Sequence, residues 1–211
     1  MSKIIMFIFC IASINAGENQ DISFKYGFLG QLKSNPDSTV ELGDKSIVHT
    51  SDKIMVNLGF ANGSYFYLIY LASEGIYSLQ LPKDYTNENR QDTIYTTILR
   101  GDLTNPPGDE TFYLINSRTS LTELTKLIAR YENAHKKAKA KLANRIQGQI
   151  DALDPNIKGD LTLVPSRLDK PMVGGVAFRG DDNDALKDIS LTHMCIGSGG
   201  GAFQKIVLNH R

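Results

Sequence analysis

The chain has 211 residues, with 23 Lys and Arg against 23 Asp and Glu. That length suits one ordinary domain with its own core, and the charge balance excludes a global attraction to nucleic acid or to an anionic membrane. Only two cysteines are present, which excludes a disulfide-dense secreted scaffold.

Lys3 opens a basic start, and Ile4 to Ala12 form an uncharged apolar run. Ser13, Ile14, Asn15, Ala16 and Gly17 then supply small residues. This pattern predicts a secretory signal over 1–16, cleaved after Ala16. The run is shorter than the roughly 20 residues of a membrane-spanning helix. Phe9 before Cys10 is too large for lipoprotein processing, so the expected product is soluble, periplasmic or secreted. Removing the leader leaves 211 − 16 = 195 residues, with Cys195 alone. No intrachain disulfide is then expected, which suits a bacterial periplasm.

From Asp21 to Ser117 the chain reads as short strands between turn signals. Ile22, Phe24 and Tyr26 alternate with polar residues, and Val40 and Leu42 precede the Gly43–Asp44 turn. Ile54, Val56 and Leu58 alternate again. Tyr65 to Leu71 is apolar on both faces, as a strand covered on both sides would be. Gly75 turns the chain into Ile76–Leu81, and 83–92 is a polar loop. Ile94–Leu99 and Phe112–Ile115 follow as strands, with Pro106, Pro107 and Gly108 forcing a turn between them.

At Ser120 the period changes to 3.6, and Ser120 with Glu123 matches a capping box. Leu124, Leu127, Ile128, Tyr131, Ala134, Ala138, Leu142, Ile146, Ile150 and Leu153 form one stripe, predicting a long amphipathic helix that stops before Asp154–Pro155. Unbroken, it measures on the order of 50 Å at about 1.5 Å per residue. Its second half then needs the C-terminal segment, a partner, or a bend near Gly148. Strand patterns return at 173–178, at Ile189–Ile196 and at Phe203–Leu208, with turns at 180–184 and 197–201. The expected fold is α+β and mainly β: an antiparallel Ig-like β-sandwich with one long helix and C-terminal strands returning to the sheet. It forms a single domain over 17–211: a β core at 17–118, the helix at 119–153 and a C-terminal β segment at 154–211.

Each chemical motif has a plainer reading beside it. Gly197 to Ala202 matches G-x-G-x-x-A, but no helix and second strand follow, so a hairpin loop is expected. His193 and Cys195 share a strand face and suggest a Cys–His hydrolase or a metal pair. His49, His135 and His210 are scattered, however, so a half-buried cysteine beside a surface histidine is the expectation. Asp181, Asp182 and Asp184 lack the alternation and closing glutamate of a calcium loop. No metal or other cofactor is therefore expected. Lys126, Arg130, Lys136, Lys137, Lys139, Lys141 and Arg145 face only Glu132 in that stretch, which reads as an anion-binding face or as a solvated helix surface. Tyr65, Tyr67, Tyr70, Tyr77 and Tyr95 read as sheet packing or as a glycan platform. The candidate binding residues are thus Tyr65, Tyr67, Lys136 and Lys137. No nucleophile elbow, P-loop, zinc-protease helix or kinase signature is present.

The segments "VELGD" (Val40–Asp44), "GSYFYLIYLASEGIYSLQLP" (Gly63–Pro82), "PPGDETFYLINS" (Pro106–Ser117) and "LTELTKLIARYE" (Leu121–Glu132) resemble the bacterial family called domain of unknown function 4384. The closing "FQKIVLNH" (Phe203–His210) is similar to that family's final strand, while Leu79-Gln80-Leu81-Pro82 stands where the family has Leu-Phe-Pro. The resemblance implies an exported accessory domain, often associated with caspase-like peptidases, and carries no catalytic residue. The expected function is a non-catalytic binding or assembly module of the cell envelope. It has a protein partner, no nucleic acid and no transmembrane anchor. A glycan-binding module and a Cys–His hydrolase are the alternatives.

Overall fold

Side chains of period two build two sheets that face each other. The computed structural model describes residues 22–61, 63–80, 93–157, 160–163, 191–197 and 200–211. The expected leader at 1–16, the loop at 83–92, the strand at 173–178 and the acidic turn at 180–184 lie outside them. Strand β1 (Ile22–Gln31) turns Ile22, Phe24, Tyr26 and Phe28 inward. After β2 (Thr39–Glu41) and β3 (Ile47–Val48), strand β4 (Lys53–Ala61) turns Ile54, Val56, Leu58 and Phe60 the same way. The remaining strands are β5 (Tyr65–Leu71), β6 (Tyr77–Leu79), β7 (Thr93–Asp102), β8 (Gly108–Ser117), β9 (Asp160–Leu163), β10 (His193–Gly197) and β11 (Gly201–His210). The first sheet runs β7-β4-β1-β10-β9, with β2 also on β1; the second runs β3-β11-β8-β5-β6.

Aromatic rings bind the two sheets together. Phe24 meets Phe66 edge-on at 5.2 Å, and Phe28 meets Phe112 edge-on at 5.2 Å. Such pairs add about 0.5–1.5 kcal/mol each beyond area burial. The last described strand, β11, lies inside the second sheet, with Gly201 opposite Ser117 and His210 opposite Gly108 on β8. One edge departs from the antiparallel expectation. β3 pairs with β11 in parallel, because the chain reaches β3 by crossing from β2 in the other sheet rather than through a hairpin. Gly197 to Gly201 likewise joins the two sheets instead of closing a hairpin. A Cβ at Gly197 would collide with the Gly201 and Ala202 backbone, so glycine is required at this crossing.

Strand β5 is covered on both faces, as its sequence predicts. Phe66 and Leu68 face the first sheet, while Tyr67 and Ile69 face the helices. The helical region itself corrects the expectation of one long helix. It is two helices, α1 (Thr122–Glu132) and α2 (Lys136–Ile157). Asn133 ends α1: its backbone N–H and its Nδ2 donate to the Tyr131 and Ala129 carbonyls. The His135 carbonyl then accepts from the Ala138 and Lys139 N–H groups and starts α2. The apolar stripe is interrupted there, since Ala134 and Ala138 offer too little surface to anchor a turn. Folded back, Leu124, Leu127, Ile128, Tyr131, Ile146 and Ile150 all pack on Tyr67, Ile69, Tyr77, Tyr113, Ile115 and Phe203 of the second sheet. The stripe is satisfied within the fold and needs no outside partner. α2 also continues through Pro155 to Ile157, past the stop read from the sequence.

The Ser120–Glu123 capping box does not form. Ser120 Oγ lies 2.9 Å from Thr122 Oγ1, and Glu123 reaches Lys126 instead. The Tyr67 hydroxyl takes over, accepting from the Leu121 N–H at 2.9 Å. It satisfies one of the unpaired donors that every helix start carries.

Candidate functional site

The layer between the sheets is apolar along most of its length and polar at its ends. On β8 the inward positions run Glu110, Phe112, Leu114, Asn116; on β11 they run Ala202, Ile206, Leu208, His210. Pairing β8 with β11 sets Glu110 diagonally beside His210, where strand alternation would otherwise place hydrocarbon. Glu110 is 2 % exposed, and the His210 side chain is fully buried.

Every polar atom of this pair has a partner. Glu110 Oε1 lies 3.2 Å from His210 Nδ1. Glu110 Oε2 accepts from the Tyr70 hydroxyl at 2.6 Å and from the Ser73 N–H at 3.2 Å. His210 Nε2 lies 3.0 Å from Thr50 Oγ1, which donates to Asn105 Oδ1 at 3.0 Å. Burial first, then the hydrogen bond to Glu110 and its charge, push the Tyr70 phenol well above its ordinary value. The adjoining turn is held by Asp52, whose two carboxylate oxygens accept from the Lys33 and His49 N–H groups, each at 2.7 Å. Ser51, between Thr50 and Asp52, is fixed at a positive φ of 75°. Gly108 at the start of β8 has φ 151° and lies so close to Ser73 that a Cβ would meet the Ser73 Cβ at 2.6 Å.

A hydroxyl, an imidazole and a carboxylate in series have the order of an acyl-transfer relay. The surrounding geometry opposes that use. The Thr50 hydroxyl donates its one proton to Asn105 Oδ1, away from the imidazole, which lies at 3.0 Å. The next two backbone N–H groups, the natural place for an oxyanion hole, are already donated: Ser51 to Leu103 and Asp52 to His49. Glu110 is saturated by Tyr70 and Ser73. The cluster ties the end of β11 to the turns at 49–52, 72–75 and 103–107 and acts as a latch.

Of the residues named from the sequence, Tyr70 and His210 enter this cluster, and the candidate binding residues Tyr65, Tyr67, Lys136 and Lys137 lie elsewhere. Tyr65 is 46 % exposed at the start of β5, but Tyr67 is 8 % exposed beneath α1. Tyr77 and Tyr113 are buried under α2, both donating to Gln147 Oε1, at 2.6 and 3.3 Å. Burial pushes the Tyr77 phenol up to about 12 and raises that of Tyr113 as well. The tyrosine-rich face is therefore no open platform: the helices cover it and leave Tyr65 at its rim. The side chain of Tyr95 lies outside the described residues.

Cys195 is fully buried, its thiol 3.5 Å from the Phe203 carbonyl. That is deeper than the half-buried cysteine expected. His193 stacks on Tyr26 at 5.1 Å, with Nδ1 2.9 Å from Thr192 Oγ1 and 3.4 Å from Glu41. Each has contacts within the fold, Cys195 with Phe203 and His193 with Tyr26, Thr192 and Glu41. Lys136 and Lys137 are exposed at the start of α2. Among the described residues no group of three or more His, Cys, Asp or Glu is placed to hold a metal, and no helix is long and apolar enough to cross a membrane.

Glu110, Thr50 and Asp52 escape sequence reading, and His210 reads only as one scattered histidine. The available signal is a charged residue in step with Phe112 and Leu114 on one strand face. No family model, no curated protein and no solved structure matches the chain.

Proposed function

We propose that the chain is an exported, non-catalytic binding or assembly module of the bacterial cell envelope. In this reading an Ig-like sandwich, periplasmic or secreted, serves as accessory to a protein partner such as a caspase-like peptidase. The observation that carries it is the use to which the reactive side chains are put. Among the described residues, the Thr50 hydroxyl, the His210 imidazole, the Cys195 thiol and the Glu110 carboxylate all engage in internal contacts that hold strands and turns.

The test has two arms. Envelope extract is passed over the immobilised chain, and proteins displaced by free chain are identified. The same chain is assayed against ester, peptide and glycoside substrates. The expected outcome is a specifically displaced partner and no turnover. Hydrolysis that disappears in Thr50→Val would end the reading, and so would a chain that captures nothing displaceable.

A further inference from the structure

The break between α1 and α2 turns a row of cations outward. Lys137, Lys141 and Arg145 stand four residues apart, so they share one face of α2, and all three are exposed. Leu142, Ile146 and Ile150 on the other face pack against the second sheet, so the helix cannot roll to hide the row. Lys139 differs: its ammonium sits 5.1 Å over the Tyr131 ring, where the fold already uses it.

An ordinary solvated helix face mixes signs, because a glutamate four residues before a lysine adds stability. Here no acid occurs between Lys136 and Ile150, and the first turn of α2 carries none. Lys136 and Lys137 there oppose the helix dipole, a local cost that no ion pair among the described residues offsets. The ion pairs among the described residues are Lys126–Glu123, His49–Asp52, His193–Glu41 and His210–Glu110, and none involves the row. Residues that break a local rule without an internal gain point to an external one.

We infer that this face docks an acidic surface of a protein partner, with carboxylates spaced to meet cations at about 6 Å intervals along the helix. The inference rests on the binding reading above and names where and how the partner is held. A lipid surface fits less well. A helix lying on a membrane inserts large apolar side chains, whereas the exposed positions between the cations are Ala138, Ala140 and Asn144. Among the described side chains the exposed large hydrophobic residues are Ile47, Tyr65 and Ile76, none of them on α2.

The test compares the full chain with the variant Lys137→Glu, Lys141→Glu, Arg145→Glu. The probes are a synthetic helical peptide with glutamate at every fourth position and phosphatidylglycerol vesicles. All three positions are exposed and Lys137→Glu places an acid in the first turn of α2, so the variant's thermal midpoint should be no lower than the natural chain's. The peptide should bind the natural chain at low salt and weaken with added salt, and should bind the variant at least about tenfold more weakly. Equal binding to both proteins, or none to the natural chain, overturns the inference. Charge-dependent binding to vesicles in preference to peptide overturns it in favour of a membrane. If the variant still retains a partner captured from envelope extract, the binding reading stands and this surface falls. If the natural chain captures nothing yet the peptide obeys the charges, the binding reading falls instead.

Discussion

Replacing Glu110 with alanine tests whether the buried cluster is a latch or a dormant reaction centre. The carboxylate receives the Tyr70 hydroxyl and the Ser73 N–H and lies 3.2 Å from His210 Nδ1. Removing it leaves these groups facing a cavity from which water is nearly excluded. Each buried group left without its partner costs about 1–3 kcal/mol, and Tyr70, Ser73 and His210 lose theirs together, so a loss of at least about 3 kcal/mol is expected. For a domain of this size each kcal/mol moves the melting temperature by about 2–4 °C, so a fall on the order of 10 °C is expected. Urea unfolding followed by circular dichroism reads the loss as a lower midpoint at unchanged slope. Glu110→Gln should be milder, because an amide oxygen can still accept from Tyr70 and Ser73. A loss below about 1 kcal/mol for Glu110→Ala, or a gain, would refute the latch. Residues kept for activity at the expense of stability behave that way.

Tyr67→Phe deletes the acceptor for the Leu121 N–H and should cost about 1 kcal/mol, whereas Tyr65→Phe at the exposed rim should change the urea midpoint by less than about 0.5 kcal/mol. Tyr26, Tyr70, Tyr77 and Tyr113 are all raised by burial, Tyr77 to about 12. In the unfolded chain a tyrosine ionises near about 10. Between these values the unfolded state binds fewer protons than the folded one, so stability should fall as pH rises from about 10 to 12. Phenolate absorbance should then grow together with unfolding; a urea midpoint that stays flat over that window contradicts the assignment. Gly108→Ala forces a Cβ against Ser73 at a positive φ and should destabilise the chain by more than about 1 kcal/mol. An unchanged thermal midpoint would show that the turn can relax.

Alternation made the strands legible. Ile22, Phe24 and Tyr26, then Ile54, Val56 and Leu58, occupy every second position because one face of each strand is buried. Tyr65 to Leu71 lacked alternation because both of its faces are covered. The helix break was hidden because Ala134 and Ala138 keep step with the stripe although they bury little, and Asn133 acts as a cap only once Ala129 is in place beside it. Sheet membership was not readable, since β11 pairs with β3 and β8, both far away in sequence. The latch shares that cause: Glu110 and His210 stand 100 residues apart and meet only when two strands pair in one register. The cationic row was visible from the start, but its exposure depended on which way the broken helix folded back.

The position of β11 has a consequence for biogenesis. It is the last of the described strands in chain order, yet it lies between β3 and β8. Until those residues leave the ribosome, β8 presents an open hydrogen-bonding edge and the second sheet stays divided. Until β11 is in place the second sheet is incomplete, and the open edge of β8 is exposed to chaperones and to premature aggregation.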